Sequence, residues 1–380
     1  MLTVKSLQME NKLRIAILGT RGIPNRYGGF EAFAAELAPR LVLRGHRVVV
    51  YCPHDQHYRE PEYRGVRLAY RPNPEGLLGT AGQFIYDLGC NLHARREPFD
   101  VILHLGYTSD SVWNRLWSPD SMHVTNMDGM EWRRAKYPPA VRAFLKKAEA
   151  WAARRSDLLI ADHPAILEYL AGTYTTPAVY ISYGAAVPER FAEPGEVPEL
   201  ATSGLRGGCY DLVLARMEPE NNIETAIRAK LSAGGDIPLA IVSNDTRYGA
   251  TLKKRYSGEG LIRFLPAVYR PGAADAIRRH ARFYIHGHAS GGTNPSLLEA
   301  MACGCRILAH DNPFNRGVLA ANSLFYTDVG SLAALLQSAG TFPKLAQTMA
   351  ENLRRIRESH DWESITDQYE QALLSVAAGD

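Results

Sequence analysis

The sequence predicts an α/β protein with two Rossmann-like, doubly wound domains that face a central cleft. Short apolar segments alternate with helical segments along almost the whole chain, as in parallel sheets covered by helices. A glycine-rich loop follows the first apolar segment, and another follows a late one. The length of 380 residues favours two domains over one. Ligands of such folds bind beyond the carboxyl ends of the strands.

The first domain is predicted over residues 12–190. Strands are predicted at residues 12–19, 47–52, 66–70, 99–105, 122–126, 157–161 and 181–184, most of which are short apolar runs. A helix over residues 31–44 has apolar side chains along one face and ends at Gly45. After two prolines, a second helix is expected over residues 140–155.

A linker is predicted over residues 191–208, where prolines lie among acidic and small residues and glycines follow. The second domain is predicted over residues 209–360. Its strands are predicted at residues 210–215, 239–243, 262–265, 281–286 and 305–309. The tail is mostly helical by pattern, and its last helix, at about residues 361–380, is expected to pack back on the first domain.

The composition disfavours several classes of protein. The net charge of +3 does not favour nucleic acid as a partner, and no nucleic-acid-binding motif accompanies the basic residues. The five cysteines complete no zinc pattern and are expected to be buried free thiols. The amino-terminal segment lacks an apolar signal core, and no apolar run could cross a bilayer. We therefore expect a cytoplasmic protein whose membrane contact, if it has one, is peripheral.

The early glycine-rich loop covers residues 19–31, between a strand and a helix, where backbone N–H groups can hold an anion. Its spacing is not the GxGxxG of dinucleotide folds, which disfavours a nicotinamide oxidoreductase. The candidate residues here are Arg21, Arg26, Tyr27, Gly28, Gly29 and Glu31. The alternative is a flexible surface loop.

The late loop joins a strand to a helix and has the same anion-binding character. Its candidate residues are Gly291, Gly292, Thr293, Asn294 and, within the helix, Glu299. The Glu299 carboxylate could accept hydrogen bonds from sugar or ribose hydroxyls. The alternative is an ordinary βα loop with a solvent-facing glutamate.

Two further carboxylates follow predicted strands. Asp128 comes just after the strand at residues 122–126, with Glu131 close by, and suits a catalytic role. The alternative is that Asp128 caps the N-terminus of a helix or forms an Asx turn. Glu220 lies at a similar turn, and its alternative is an ordinary acid in the first turn of a helix.

The glycine loop, the helix end at residues 44–48 and the run from Glu299 to Gly304 resemble the family-4 retaining glycosyltransferases of GT-B fold. Residues 19–31, 126–134, 218–224 and 291–299 are similar to the rhamnosyltransferase branch of that family. The resemblance covers nearly the whole chain. It implies transfer of L-rhamnose from dTDP-rhamnose to a polyprenyl-diphosphate-linked sugar, such as N-acetylglucosamine, during synthesis of bacterial cell-surface polysaccharides.

The resemblance also implies roles for individual residues. Donor binding falls to the second domain, where Glu299 would bind ribose, and Arg216, Thr293 and Asn294 would hold the diphosphate. Asp128, Glu220 and Arg216 would act at the reacting carbon. The acceptor would lie near residues 27–31 and 128–132, which include Glu131 and Trp132. No metal or other cofactor is implied.

The chain departs from the family at three positions, one of which is Asp128, where many members carry a histidine near the reacting carbon. Many members carry a first glutamate where Gly291 stands, and a lysine where Asn221 stands. More of the donor contact would then pass to Arg216, Arg21 and loop backbone. The alternatives are a transferase for a UDP- or GDP-linked hexose, a GT-B epimerase, and a catalytically silent sugar-nucleotide-binding subunit.

Residues 133–155 are rich in arginine and lysine, with aromatic residues interleaved. A basic and aromatic surface of this kind, with a helix predicted over residues 140–155, suits contact with anionic lipid headgroups. The alternative is a core-facing helix with a solvated charged face. With a lipid-linked acceptor, this stretch predicts peripheral attachment to the inner face of the cell membrane.

Overall fold

The computed structural model describes residues 12–26, 28–134, 136–268, 270, 272–289, 291–321, 323–338 and 342–379. These residues form two compact units. The first takes in the described residues up to Arg133, Tyr137–Ser182 and those from Trp362 onward, and the second takes in Arg134–Lys136 and Tyr183–Asp361.

The described residues of the first unit contain an eight-stranded sheet. Its strands are β1 (Arg14–Leu18), β2 (Arg47–Pro53), β3 (Glu62–Tyr63), β4 (Val66–Arg71), β5 (Val101–Leu105), β6 (Met122–Asn126), β7 (Leu158–Ala161) and β8 (Ala178–Tyr180). Their spatial order is β3-β4-β2-β1-β5-β6-β7-β8. All neighbours pair in parallel except β3 and β4. The order reverses between β1 and β5, the switch point at which α/β sheets bind ligands.

Helices of the first unit cover this sheet. They are α1 (Gly29–Leu43), α2 (Glu75–Leu78), α3 (Thr80–Ala94), α4 (Pro139–Arg155) and α5 (Pro164–Thr173). The buried residues of α1 include Phe33, Leu37 and Leu41, the stripe that the sequence predicts. Tyr86, Cys90 and Ala94 of α3 pack against side chains of β1, β2, β4 and β5 in a hydrophobic core.

The second unit is a six-stranded parallel sheet among its described residues, in the order β11-β10-β9-β12-β13-β14. The strands are β9 (Asp211–Leu214), β10 (Leu239–Ser243), β11 (Ile262–Pro266), β12 (Phe283–His286), β13 (Ile307–His310) and β14 (Leu324–Tyr326). The helices are α6 (Pro198–Ser203), α7 (Ile223–Ala233), α8 (Arg247–Tyr256), α9 (Ala273–Arg279), α10 (Pro295–Ala302), α11 (Pro313–Val318), α12 (Val329–Gln337) and α13 (Leu345–Ser359). At the start of β9, the buried Asp211 pairs with Lys230 and Arg282.

The last helix, α14 (Trp362–Ala378), groups with the first unit, where it packs on α1. The Tyr369 and Phe33 ring centroids are 5.1 Å apart. Arg44 pairs with Glu363 and Glu370 of α14. The chain therefore returns to its first unit from Trp362 onward.

The structure differs from the sequence-based expectations at three places. The final strand of the first unit is Ala178–Tyr180 rather than residues 181–184. Ile181 and Tyr183 remain buried after the chain leaves the ladder, so an apolar pattern persists where no strand does. Part of the predicted linker forms α6, whose Leu200 is buried. Cys209 is exposed, unlike the other four cysteines.

No helix in the described part of the chain is long and apolar enough to span a membrane.

Candidate active site

The loop after β1 is held by Glu31, at the start of α1. Glu31 is buried, and its Oε1 accepts a hydrogen bond from the backbone N–H of Arg21 at 2.7 Å. The Arg21 guanidinium pairs with Glu75, with Nη2 2.6 Å from Oε1. A phosphate at this loop would have to compete with Glu75 for Arg21. Of the other predicted loop residues, Gly28 is half-buried, Gly29 and Arg26 are exposed, and Tyr27 lies outside the described residues.

Asp128 follows β6 in a left-handed backbone conformation, with φ of 51°. Few residues other than glycine adopt it, and such positions concentrate at functional sites. Asn126 makes the turn, because its Oδ1 accepts the Asp128 N–H at 2.9 Å. The Asn126 amide is fixed in turn by donating to the Tyr369 hydroxyl at 2.8 Å. The half-buried Asp128 carboxylate makes no ion pair or hydrogen bond with the described residues, so it is available to a substrate.

Glu131 and Trp132 contact different parts of the first unit. Glu131 is buried, and its N–H donates to the Tyr107 hydroxyl at 3.1 Å. Trp132 donates its indole N–H to Glu149 at 2.8 Å, and the Lys146 ammonium lies 4.5 Å from the Trp132 ring centroid. Trp132 is therefore fixed against α4.

A buried histidine pair beneath the loops was not predicted. His104 Nδ1 lies 2.7 Å from Asp110 Oδ2, and His104 Nε2 lies 2.9 Å from Nδ1 of His123. His123 Nε2 donates to the Ser118 carbonyl, so its Nδ1 must accept from His104. Burial and the neighbouring His104 lower the pKa of His123 to about 3, which keeps it neutral. Both histidines lie in apolar strand segments, where the sequence gives no sign that they pair.

The late loop of the second unit leads into α10. Gly291 has φ of 120°, a conformation that favours glycine. Asn294 caps the helix, because its side chain accepts the Ser296 N–H at 2.9 Å. Gly292 is half-buried and Thr293 is buried. Pro295 has no N–H, and the N–H groups of Ser296, Leu297 and Leu298 all donate to Asn294. The first turn of α10 would therefore attract an anion through the helix dipole rather than through N–H groups of its own.

Glu299 is one turn into α10, with 41% of its side chain exposed. It pairs with Arg278, whose side chain is 4% exposed and which also contacts Asp275 at 3.1 Å. Burial alone would lower the pKa of Arg278, but Glu299 and other nearby groups raise it overall. Arg278 thus holds one side of the Glu299 carboxylate and leaves the other available to hydroxyl donors. The sequence identified Glu299 but not Arg278.

The loop after β9 is pinned to the loop after β12. The Ala289 N–H donates to the Glu220 carbonyl at 3.0 Å, and the Asn222 amide donates to the Gly287 carbonyl at 2.9 Å. A Cβ at Gly287 would lie 2.2 Å from the Asn221 carbonyl oxygen, so only glycine permits this approach. Two candidate segments far apart in sequence are brought together here.

Arg216, Glu220 and Asn221 have different surroundings on this loop. Arg216 is exposed. The Asn221 amide donates to the Arg216 carbonyl at 2.8 Å, which fixes the turn. The Glu220 side chain is 8% exposed, and neither of its oxygens accepts a hydrogen bond from the described residues. Lys136 and Arg134 lie 3.5 and 3.8 Å from Glu220 Oε1. Those two cations, predicted within the membrane-facing basic stretch, group with the second unit.

Helix α4 carries the rest of the basic stretch. Lys147 and Arg154 are exposed, and so is Trp151. They line a cavity of about 610 Å³ that the end of α5 also lines. Lys146 is engaged with Glu149 at 2.8 Å, and Arg142 donates to the Trp132 carbonyl at 2.8 Å. Only part of the predicted basic surface is therefore open to a partner.

Comparisons with known proteins agree with this fold. Residues 223–371 match the glycosyl transferase-like family, and residues 12–186 match a domain of unknown function, DUF1972. No curated protein matches the chain by sequence. Sucrose-phosphate synthase from Thermosynechococcus elongatus is 16% identical, with a TM-score of 0.79 over 97% of this chain and 100% of that one.

Two further solved structures have the same fold. Anabaena HepE, in complex with UDP and glucose, is 17% identical, with a TM-score of 0.75 over 96% of this chain and 100% of that one. α,α-Trehalose 6-phosphate synthase from Burkholderia multivorans is 14% identical, with a TM-score of 0.71 over 97% and 99%. The predicted α/β fold with two Rossmann-like domains is confirmed. Over residues 223–371 the chain is similar to the glycosyl transferase-like family, and its fold is the GT-B fold of these solved structures.

Proposed function

We propose that the protein is a retaining glycosyltransferase that moves L-rhamnose from dTDP-rhamnose to a polyprenyl-diphosphate-linked sugar, such as N-acetylglucosamine, in bacterial cell-surface polysaccharide synthesis. One observation carries the proposal of a nucleotide-sugar donor. It is the N-terminus of α10, which follows the late glycine-rich loop, with Glu299, fixed by Arg278, one turn further on. A helix N-terminus suits the diphosphate, and a carboxylate at that distance suits ribose hydroxyls.

The proposed reaction needs three contributions from the protein. Arg216 and the positive end of the α10 dipole would stabilise the charge that builds on the departing diphosphate. Asp128 would activate the acceptor hydroxyl or steady a cationic sugar. Because cationic side chains would neutralise the diphosphate, the proposal requires no metal cofactor. Rhamnose itself rests on the motif resemblance at residues 126–134 and 291–299.

A UDP-linked hexose is the second candidate donor. The Anabaena protein with the same fold has been solved with UDP-glucose. Sugar identity depends on a few pocket contacts, which a shared fold does not fix.

A donor panel separates these candidates. Incubation with labelled dTDP-rhamnose and a lipid-linked N-acetylglucosamine acceptor is expected to give a rhamnosylated product, with the anomeric configuration of the donor retained. Parallel reactions with UDP-glucose and GDP-mannose serve as controls, and transfer should persist in EDTA. Product from either control donor, but none from dTDP-rhamnose, would contradict the rhamnose assignment. Donor binding without turnover of any donor would favour the silent subunit.

We also propose that α4 rests on the anionic inner face of the membrane, near a lipid-linked acceptor. Lys147, Trp151 and Arg154 present two cations and an aromatic ring to solvent. Leu77 of α2 is 90% exposed, and the following helix contacts α4 through Phe84 and Phe144, whose ring centroids are 6.0 Å apart. Basic and apolar groups together suit a bilayer surface.

Reversing Lys147 and Arg154 to glutamate is expected to weaken binding to phosphatidylglycerol vesicles by about tenfold or more, because each cation near such a surface contributes about 1 kcal/mol. Co-sedimentation measures the loss. Arg247→Glu with Lys254→Glu is the matched control, because these exposed cations have the same spacing on α8. Transfer to a long-chain acceptor should slow while a short soluble acceptor is spared. Equal vesicle binding by the two double variants would assign α4 to a solvated surface.

A further inference from the structure

We propose that Arg134 and Lys136 bind the diphosphate of the nucleotide donor, together with Arg216 and the N-terminus of α10. This inference rests on the proposed function and names residues of the same site. It removes Arg134 and Lys136 from the membrane-facing surface and gives them a specific ligand.

The first support is their position. Arg134 and Lys136 group with the second unit, whose sheet and α10 hold the proposed donor site. Both lie within 3.8 Å of the Glu220 carboxylate, on the loop after β9. Their side chains are 18% and 21% exposed, so they are largely withdrawn from solvent without being fully buried. Cations in such a setting bind anions more strongly than those on an open surface.

The second support is the geometry of the Glu220 carboxylate beside these cations. The ion-pair distances are 3.5 and 3.8 Å, and neither Glu220 oxygen accepts a hydrogen bond from the described residues. Glu220 is therefore a buried carboxylate with unused acceptor capacity, and it meets the two cations at distances longer than those of charge-assisted hydrogen bonds. A diphosphate offers more acceptor oxygens than Glu220, and it would engage the same cations with hydrogen bonds.

The third support is the surrounding charge. Burial, and then the charges of Arg134 and Arg216, lower the pKa of His288 to about 3. Both arginines therefore act on His288, which follows β12 and immediately precedes the late loop. The imidazole stays neutral and leaves the arginines as the charged groups at this point. Arg134 and Arg216, far apart in sequence, thus converge next to the proposed anion site.

The inference also accounts for Asn221. The Asn221 amide is occupied by the Arg216 carbonyl and brings no charge to the site. Where many members of the resembled family place a lysine, this chain has a turn-forming asparagine. Arg134 and Lys136 supply positive charge from another segment. The loss of one cation at position 221 is thereby offset within the same unit.

Nucleotide binding tests the inference. Calorimetry would compare dTDP and UDP with dTMP and UMP, using wild type, Arg134→Gln and Lys136→Gln. Each substitution is expected to weaken diphosphate binding by about tenfold, because a hydrogen bond to a charged group contributes about that factor. Monophosphate binding should fall less, so the preference for the diphosphate should shrink. Arg133→Gln is the matched control, because the Arg133 guanidinium lies over the Trp132 ring in the first unit.

The outcomes separate this inference from the proposed function. If wild type binds dTDP or UDP, and Arg134→Gln and Lys136→Gln bind it as Arg133→Gln does, the inference is overturned and the donor class stands. If wild type binds neither nucleotide, the donor class fails and the inference fails with it. Unchanged melting temperatures of the variants would show that any loss of affinity is local.

Discussion

Replacing Asp128 with asparagine is expected to lower the turnover of sugar transfer by about 100- to 10,000-fold, the usual contribution of a general acid or base. Asparagine keeps the shape of the side chain and tolerates the left-handed backbone that Asp128 adopts. The turn itself depends on Asn126 and Tyr369, which the substitution leaves in place. The folded state should therefore survive, and only the charge and basicity at position 128 should be lost.

Steady-state transfer and donor binding, measured on the same preparations, check this expectation. Donor affinity should stay within about twofold of wild type, because the proposed donor site lies in the second unit. Asp120→Asn is the matched control, since Asp120 is an exposed aspartate of the first unit. Transfer by the Asp128 variant at the rate of the control would leave Asp128 as a turn residue without a catalytic role.

The sequence predicted where the loops lie better than it predicted what their side chains contact. Apolar runs located most strands, because a buried parallel strand must be apolar on both faces. The loops that follow β1, β6, β9 and β12 could then be placed at carboxyl ends. Which side chain meets which is decided by tertiary packing. Tyr369 reaches Asn126 across 243 positions of the chain, and no local pattern signals that contact.

The basic stretch shows the same limit. Its residues are basic and lie close together in the sequence, and the sequence therefore predicts that they form one surface. The structure divides them: Arg134 and Lys136 meet Glu220, Lys146 meets Glu149, and Lys147 remains exposed. Helical spacing could have distinguished the exposed face of α4 from the buried face. It could not have shown which residues of the segment before α4 are exposed, because that segment is not an α-helix. Trp132 shows the same limit. Its aromatic ring suits a sugar acceptor, but its indole N–H donates to Glu149, a contact that the sequence does not indicate.

Glu299→Ala is expected to weaken both donor binding and folding, because Glu299 has two partners. The donor would lose an ionised acceptor for its hydroxyls, which contributes about 1.5–3 kcal/mol. The folded protein would lose the partner of Arg278, whose side chain is 4% exposed. Breaking a fully buried pair costs about 3–5 kcal/mol. Glu299 is partly exposed and Asp275 remains beside Arg278, so we expect about 2 kcal/mol of unfolding free energy to be lost.

A second substitution separates the two effects. In Glu299→Ala with Arg278→Met, no buried guanidinium is left without its partner, and methionine fills much of the same apolar volume. Urea unfolding should then return most of the lost stability, whereas dTDP affinity measured by calorimetry should stay as low as in Glu299→Ala. Arg278→Met alone should lose stability and bind the donor less well, because Glu299 would no longer be held in place. Recovery of donor affinity together with stability in the double variant would show that Glu299 acts only on the fold, and that the ribose contact lies elsewhere.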